Sequence, residues 1–470
     1  MKKSLPIFLI LVLSLLVGLV SFPVNATVGG VSCNGLGATV SLDNSGKQLD
    51  TAKSVILYEM NTDTLVYGYD ADRLTDPTGL VKILTVLVAL EHGDISDMVN
   101  VKQSTLNTVA VGSVSARLKA GEEISLEDLL YCIMVSSAND ACAVVAAHVG
   151  GDQASFVRMM NEKAKSLGCT SSNFTNAHGL SDDAQYSTAR DLAIITKAAL
   201  GNERFRQMFG LTNYTVEATN KSDVRNLKTT NNMMREDLRN YDSRVTGGKP
   251  AAATTTDRSM ICTAQVGTAN YLCVVLNVKG IASEDGLSIV RYGIFEEMSA
   301  LLNYAQQKFE IRQILDDSQA MYQYAVANGE SGVVLRPSRD VSVVLPVEYD
   351  VEQLSFGHSV NMAELSAPLV QGQKLGELTI SYGNLIMGSC ELLAMNAVAA
   401  KGTAVTDADR LAVSEGNDGS GWKQLLGYAA MVFLGIIVLF GAVTVIVRAV
   451  RSGKIRAQQR RRARNRKRSR

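Results

Sequence analysis

Lys82 is the residue in this sequence whose position most needs a chemical explanation. It lies in the run Asp76–Thr85, which is apolar almost all round from Leu80 onward and is typical of a buried helix. The fixed φ of Pro77 suits the first turn of that helix. A buried lysine is costly unless it is neutralised or paired, and burial lowers its pKa. The pattern therefore predicts a buried amine that must be neutral or paired, and the alternative is a lysine that extends its amine to the surface.

A predicted β-hairpin precedes the lysine-bearing helix, and a capped helix follows it. Ser54–Met60 and Thr64–Tyr69 alternate around a short turn, which indicates paired strands. The lysine-bearing helix is predicted over Pro77–Glu91. Ser125 is expected to cap the next helix, because Asp128 stands three residues later, close to a capping box.

The rest of the chain falls into a helix-rich part and a strand-rich part. Helical patterns cover Leu126–Val135, Asp140–Val149, Gln153–Leu167, Thr188–Leu200 and Ser288–Phe309. Paired strands are predicted at Met260–Gln265 and Tyr271–Lys279. Beyond about Glu310, short strand candidates lie at Val333–Leu335, Val341–Leu345, Val360–Met362 and Leu378–Tyr382. These predict a small β domain that ends near Ala399.

Both ends of the sequence have the pattern of membrane-targeting segments. Two lysines precede the apolar run Leu5–Val20, and small residues lead to Ala26, so we expect a secretory signal peptide cleaved after Ala26. An uncleaved anchor helix is the alternative. Leu425–Val447 is uncharged over 23 residues and long enough to span a bilayer, and the 12 basic residues of 448–470 place the tail in the cytoplasm.

The formal net charge of zero conceals an acidic exported part. Of the 46 basic residues, 12 lie in the tail and 2 in the signal peptide, so 32 remain against 46 acids, a balance of −14. An acidic domain of this kind lacks the basic surface that nucleic acid requires. We therefore expect no nucleic-acid partner, and we assign the tail's basic run to the membrane boundary.

The cysteines and histidines indicate no metal site or cofactor. The seven cysteines are odd in number and scattered, without Cys-x-x-Cys spacing. Cys262 and Cys273 flank a predicted hairpin turn and could face each other, so a disulfide between them is one possibility. No pairing of a histidine with a carboxylate indicates a catalytic triad or a zinc site.

Several stretches, in order, are similar to the D-alanyl-D-alanine carboxypeptidases, the low-molecular-mass penicillin-binding proteins. The resemblance extends over about Ser54 to Ala399. The stretches that carry it are Pro77–Lys82, Leu118–Glu122, Leu126–Tyr131, Ser137–Ala141, Asn176–Leu180, Tyr186–Asp191, Ala367–Pro368 and Gly372–Gly376. One short motif would be weak, but an ordered set of this size specifies fold and family.

The resemblance implies an α/β fold of the penicillin-binding type, with an antiparallel sheet flanked by helices. A small all-β domain and one C-terminal transmembrane helix would follow. In the family, the serine of a Ser-x-x-Lys motif attacks the peptide carbonyl and the lysine accepts its proton. Ser137 and Asn139 match a second motif that holds the substrate amide, and a Lys-Thr-Gly strand edge binds the substrate carboxylate.

Two of these three motifs depart from the family pattern. Gly79 occupies the position of the nucleophilic serine, so Lys82 keeps the general-base position beside a residue without a hydroxyl. The neighbouring Thr78 is rotated by about 100° on a helix and should not substitute. In the third motif Lys249 remains, but Pro250 and Ala251 replace the threonine and glycine. We take these three as the substrate-binding wall, with Pro250 unable to donate an N–H and poorly tolerated inside a paired strand.

Structural interpretations of the same residues also have to be weighed. Ser137 and Asn139 could simply cap the helix that starts near Asp140, since both residue types are favoured there. His178 is expected to be a hydrogen-bonded structural residue rather than a catalytic base.

These patterns divide the chain into seven segments. They are a signal peptide (1–26), a flexible N-terminal segment (27–47), a carboxypeptidase-like domain (48–310), a small β domain (311–399), a linker (400–424), a transmembrane helix (425–447) and a basic cytoplasmic tail (448–470).

The functional hypotheses follow from the missing serine. The first is a membrane-anchored homologue at the plasma membrane that binds peptidoglycan stem peptides ending in D-Ala-D-Ala, or a cell-wall protein partner, without serine acylation. The second is a carboxypeptidase that removes the terminal D-alanine by an altered mechanism. The third is a structural spacer between wall and membrane.

Overall fold

The computed structural model describes residues 35–36, 41–43, 46, 48–252, 257–282 and 289–402. The predicted signal peptide, transmembrane helix and basic tail lie outside these residues. Within the described ranges, each helix is too short or too polar to reach across a bilayer. The contacts divide the chain into a larger unit, Met1–Ala327 with Ser331–Val398, and a smaller one whose described residues are Asn328–Glu330 and 399–402.

The described secondary structure alternates between a helical part and two groups of strands. The strands are β1 (Ser54–Glu59), β2 (Thr64–Tyr69), β3 (Met98–Asn100), β4 (Glu123–Ser125), β5 (Asn213–Val216), β6 (Arg225–Lys228), β7 (Val245–Ala252), β8 (Asp257–Val266), β9 (Ala269–Ala282), β10 (Ile289–Tyr292), β11 (Phe309–Leu315), β12 (Tyr322–Tyr324), β13 (Val333–Pro337), β14 (Val341–Pro346), β15 (Leu354–Val360), β16 (Lys374–Tyr382) and β17 (Leu385–Ala394). The α-helices are α1 (Val81–His92), α2 (Gln103–Leu106), α3 (Leu126–Ser136), α4 (Asn139–Val149), α5 (Gln153–Ser166), α6 (Ala189–Leu200), α7 (Glu203–Phe209) and α8 (Ile294–Lys308). Turns of 3-10 helix lie at Thr78–Leu80, Asn232–Met234, Val351–Gln353 and Met362–Glu364.

An antiparallel sheet forms the centre of the larger unit. Its strands lie in the order β2-β1-β9-β8-β7, and β10 pairs with the end of β9. The strands of the hairpin predicted around residues 61–63 pair as β1 and β2, which confirms that prediction. Since β7 is the last strand of this order, it lies at the edge of the sheet.

The central strands are buried on both faces, which makes this sheet the middle layer of the domain. Along β1, Ile56 and Tyr58 belong to the apolar cluster that contains α1 and α3, whereas Val55 and Leu57 belong to the cluster that contains α8. Successive side chains of a strand point to opposite faces, so each strand contributes to two cores. The expected α/β architecture, an antiparallel sheet flanked by helices, is confirmed.

Cys262 and Cys273 lie directly opposite each other on β8 and β9, as the predicted hairpin required. Both side chains are completely buried in the cluster beneath α8, and both are free thiols. The pair therefore packs as small core residues rather than as a disulfide.

The cap of α3 forms as the sequence predicted. The Ser125 hydroxyl accepts a hydrogen bond from the Asp128 amide at 3.0 Å and donates to the Asp128 carboxylate at 2.7 Å. One of the free amides of the first turn is thereby satisfied. The cap fixes the start of α3, whose far end leads into the candidate site.

After α8 the described residues, 309–402, form strands with two short turns of 3-10 helix, which confirms the expected small β domain. Its larger sheet has the order β12-β13-β17-β16-β15, and β11 pairs with β14. Buried residues of these strands, such as Val343 and Leu378, continue the apolar cluster that lies beneath α8. Two local predictions here were wrong. The helix expected from Ser288 begins at Ile294, after strand β10. Of the strand expected at Val360–Met362, Val360 is the last residue of β15 and Met362 begins a 3-10 turn.

Candidate active site

Gly79 and Lys82 lie where the 3-10 turn Thr78–Leu80 continues into α1. Thr78 has a φ of 50°, a left-handed conformation that is strained for a β-branched residue. Its amide donates to the Asp76 carboxylate at 2.9 Å, which holds the turn in this conformation. The helix predicted from Pro77 therefore starts in two steps, a tight turn and then α1.

Lys82 is buried, with 3% of its surface exposed. Its Nζ donates to the carbonyl oxygen of His178. Burial lowers the pKa of Lys82, and the nearby Cys142 thiol acts in the opposite direction. The predicted burial of this lysine is correct, and the alternative of a surface amine is wrong.

Gly79 is open on the side that faces this amine. A Cβ added to Gly79 would lie 3.7 Å from Lys82 Nζ and 3.4 Å from the Ala251 methyl, both ordinary van der Waals distances. A side chain at position 79 would therefore reach toward the lysine without a clash. No side chain is present there, so no hydroxyl lies between these groups.

Neither neighbouring threonine takes the place of a serine at position 79. The Thr85 hydroxyl donates to the Ala177 carbonyl at 2.7 Å, and the Thr78 hydroxyl is buried with no hydrogen-bond partner among the described residues. A general base must be within hydrogen-bond reach of the hydroxyl that it activates. Lys82 bonds to neither threonine side chain, in agreement with the sequence prediction.

Lys249 lies on β7 and is completely buried. No described residue accepts a hydrogen bond from its Nζ. Burial lowers the pKa of Lys249 to about 7, with a further lowering from the charge of Lys82 and a smaller opposing effect of Cys142. The two amines are therefore close enough to repel each other, and each lacks a carboxylate among the groups that act on its pKa.

Pro250 and Ala251 continue β7 beyond Lys249. They stand opposite Met260 and Ser259 of β8, and the strand runs on to Ala252. The expectation that a proline would be poorly tolerated here was wrong for this strand, because an edge position accommodates a proline. The Ala251 methyl lies 3.4 Å from the point that a Cβ on Gly79 would occupy.

Ser137 and Asn139 lie at the junction of α3 and α4. Ser137 ends α3 in a left-handed conformation with a φ of 63°, Ala138 is the N-cap of α4, and Asn139 is the buried first residue of that helix. The capping interpretation of Ser137 and Asn139 is therefore wrong. One turn further on, the Cys142 thiol is close enough to both lysines to respond to their charges.

Three neighbours of the lysines were not assigned to the site from the sequence. Cys142 is fully buried, which raises the pKa of its thiol to about 11 against the lowering effect of Lys82 and Lys249. It is therefore a protonated thiol at neutral pH. Gly179 has a φ of 78°, and a Cβ there would lie 1.9 Å from the Thr78 carbonyl oxygen, so only glycine allows the two segments to meet.

His178 is the third neighbour, and its carbonyl rather than its ring serves the site. Burial, assisted by the charge of Lys82, lowers the pKa of its imidazole to about 4. The ring Nδ1 accepts a hydrogen bond from the Leu180 amide at 3.2 Å. The neutral ring is thus a structural hydrogen-bond acceptor, as expected. The sequence feature that could have placed the His178 carbonyl at the site is the run Asn176–Leu180, one of the stretches similar to the family.

In the part of the chain that the structure describes, no cluster of possible metal ligands lies at Gly79 and the two lysines. Among the described residues, the group of three or more acidic, histidine or cysteine side chains close enough to share a cation is Asp316, Asp317 and Asp340, which are exposed in the β domain. The site at Gly79 instead holds the buried amine of Lys82, with the Lys249 amine and the Cys142 thiol close enough for their charges to interact. Such a set can receive a polar or anionic group, but it lacks a hydroxyl beside Lys82.

Two family models match the chain. The model described as D-alanyl-D-alanine carboxypeptidase covers residues 43–280, and that described as penicillin-binding protein 5, C-terminal domain, covers residues 309–400. Among curated relatives, D-alanyl-D-alanine carboxypeptidase DacF of Bacillus subtilis is 26% identical over 356 residues, 74% of this chain and 85% of the relative. D-alanyl-D-alanine carboxypeptidase DacC of Escherichia coli is 28% identical over 358 residues, 74% of this chain and 84% of the relative.

Solved structures share the fold. Penicillin-binding protein 5 from Haemophilus influenzae superposes with a TM-score of 0.59 at 24% identity, covering 75% of this chain and 98% of the other. A peptidoglycan synthesis regulatory factor, PBP3, from Streptococcus pneumoniae superposes with a TM-score of 0.60 at 22% identity, covering 74% and 99%. At these identities the structures establish the architecture alone.

Proposed function

This chain belongs to the D-alanyl-D-alanine carboxypeptidase family, and we propose that it binds peptidoglycan stem peptides without forming a serine acyl-enzyme. The observation that carries the proposal is the position of Gly79. Its missing side chain would point toward the buried amine of Lys82, at the place of the family's nucleophile. Without an oxygen or sulfur nucleophile there, no acyl-enzyme forms.

The wall formed by β7 supports the same proposal. Lys249 is retained, but Pro250 offers no amide hydrogen for a backbone ladder with a substrate. The methyl of Ala251 stands next to position 79, where the family has only glycine hydrogens. Because a displacement of about 1 Å can cost on the order of a hundredfold in rate, this wall is poorly suited to turnover.

The retained Lys82 favours a second candidate, a carboxypeptidase with an altered mechanism. Burial lowers the pKa of Lys82, so its amine can act as a general base. In that mechanism the lysine would activate a water molecule for direct attack on the D-Ala-D-Ala bond. The terminal D-alanine would leave without a covalent intermediate.

Binding and D-alanine release, measured together, separate these candidates. The full-length protein is titrated with a synthetic stem peptide ending in D-Ala-D-Ala, and free D-alanine is assayed in the same samples. Saturable binding with D-alanine at the background level supports the proposal. Steady release of D-alanine supports the altered mechanism, and the absence of any peptide binding contradicts both and favours the structural spacer.

We further propose that the protein is exported and held in the plasma membrane by Leu425–Val447, with residues 448–470 in the cytoplasm. The apolar N-terminal run, the uncharged C-terminal segment and its basic flank support this topology. The test opens the outer layers of the cell, keeps the plasma membrane closed and then adds protease. The protease should digest the large domain and spare an epitope on the tail. Digestion of the tail epitope before lysis would contradict the topology.

A further inference from the structure

We propose that the preferred ligand of this site is a trimmed stem peptide, whose terminal carboxylate enters between Lys82 and Lys249, rather than the longer peptide ending in D-Ala-D-Ala. This inference rests on the proposed function, since it specifies which stem peptide the site binds. The trimmed peptide ends in a single D-alanine. It therefore presents a free carboxylate where the longer peptide has a neutral amide.

The first argument is that neither buried amine has an anionic partner among the described residues. Lys82 and Lys249 are buried at 3% and 0% exposure, and Lys249 Nζ has no hydrogen-bond partner among the described residues. Buried ammonium groups are normally paired with an anion, because an unpaired buried charge is strongly unfavourable. The groups that act electrostatically on Lys249 are Lys82 and the Cys142 thiol, and Cys142 also acts on Lys82, so no described carboxylate is among them. An anionic ligand is the partner that both amines lack.

The second argument is the volume at Gly79. The point where its Cβ would stand is 3.7 Å from Lys82 Nζ, and its nearest heavy atom is the Ala251 methyl at 3.4 Å. A carboxylate oxygen can enter the space of the missing side chain and approach Lys82 to a charge-assisted hydrogen-bond distance of about 2.8 Å. Gly79 is also partly exposed, which leaves this volume open to a ligand from solvent.

The third argument is the wall that a longer peptide would need. We place the residue beyond the amide along β7, the strand that the family pattern assigns to substrate binding, where Pro250 cannot donate a hydrogen bond and Ala251 adds a methyl. A peptide that stops at the carboxylate does not extend along this wall. The attraction of the amines and the obstruction of the wall thus favour the same, shorter ligand.

The titratable groups around Lys249 give this binding a characteristic pH dependence. The groups that face it are Lys82 on α1 and Cys142 on α4, while the His178 imidazole lies near Lys82. Burial and Lys82 lower the pKa of Lys249 to about 7, and a bound carboxylate would raise it again. Carboxylate binding is therefore coupled to proton uptake, and affinity should fall as the pH rises above about 7.

The test is calorimetric titration of the full-length protein with three peptides that differ only at the C-terminus. They end in D-Ala, in D-alaninamide and in D-Ala-D-Ala. We expect the D-Ala peptide to bind at least about tenfold more tightly than the other two, because hydrogen bonds to charged groups are the stronger ones. Tighter or equal binding of the D-Ala-D-Ala peptide overturns this inference and leaves the proposed function intact. Absence of binding by all three overturns both.

A variant pair locates the effect at the buried amine. Lys249→Met should reduce affinity for the D-Ala peptide at least about tenfold and flatten its pH dependence, without changing affinity for the D-alaninamide peptide. Lys102→Met, at an exposed position, is the matched control and should bind like the wild type. Unchanged D-Ala affinity in folded Lys249→Met would overturn the inference. If Lys249→Met does not fold, the comparison of the D-Ala and D-alaninamide peptides in the wild-type protein still tests the role of the ligand's carboxylate charge.

Discussion

The methyl group of Ala251 lies 3.4 Å from the point that a Cβ on Gly79 would occupy, with Lys82 Nζ at 3.7 Å from the same point. The two departures from the family pattern therefore meet in space, although 172 positions separate them in the sequence. A serine at position 79 would fit beside its base, but directly under a methyl that the family lacks. Restoring the serine at position 79 alone would leave the Ala251 methyl directly beside the new side chain.

Repair of position 79 alone should restore little acylation by penicillin. Gly79→Ser supplies a hydroxyl next to Lys82, but Pro250 and Ala251 still displace the ligand. Adding Pro250→Thr and Ala251→Gly should raise the labelling rate well above that of either partial repair, because both walls act as one unit. Fluorescent penicillin labelling of the partial repairs and the triple variant measures this. Full labelling of the single Gly79→Ser variant would show that the β7 wall is already adequate.

Gly179→Ala should destabilise the protein much more than Gly151→Ala. Both glycines have a φ of 78°, so both variants incur the left-handed cost of about 1–2 kcal/mol. At Gly179 the new Cβ would also overlap the Thr78 carbonyl oxygen at 1.9 Å, whereas nothing lies within 4 Å at Gly151. The overlap should add on the order of 1–3 kcal/mol.

Urea unfolding of the two glycine variants and the wild type gives the comparison. Equal losses in the free energy of unfolding would mean that the Thr78 turn moves aside freely. In that case the strained turn at the site would not be held in place by Gly179.

The stability contribution of Lys249 should depend on pH in a defined direction. Its pKa is lowered from 10.5 to about 7 in the folded protein, so between these values the unfolded chain binds the extra proton. The wild type should therefore gain stability relative to Lys249→Met as the pH rises from 7 to 9, by up to about 1.4 kcal/mol per pH unit. Below pH 7 the difference should become constant.

Urea unfolding of wild type and Lys249→Met at several pH values tests this, with Lys102→Met as the control at an exposed position. A stability difference that stays flat from pH 6 to pH 9 would indicate that Lys249 keeps its proton. The two buried amines would then both be charged, and the electrostatic description of the site would be wrong.

Much of the site was predictable because its residues carry recognisable local signals. Lys82 stood out as a charge in an apolar run, and the cap of α3 followed from Ser125 and Asp128. Lys249 and Ala251 were predictable through the family pattern, since no local rule identifies a lysine on an edge strand as buried.

Other features depend on contacts between distant segments, which local patterns do not specify. The requirement for glycine at 179 arises from the Thr78 carbonyl about 100 residues earlier in the chain. Cys142 had no motif, and the two lysines that act on its thiol lie on α1 and β7, which are distant from it in the sequence. Likewise the start of α8 was missed, because strand β10 is defined by its pairing with β9 rather than by its own periodicity.

The central claim is that this chain forms no serine acyl-enzyme, and intact-mass measurement after prolonged exposure to penicillin tests it most directly. The wild-type protein should keep its unmodified mass at saturating penicillin, since neither Thr78, Thr85 nor Cys142 provides an activated nucleophile beside Lys82. An adduct of one penicillin per chain, mapped by peptide digestion to a residue near Gly79, would contradict the account and identify the nucleophile.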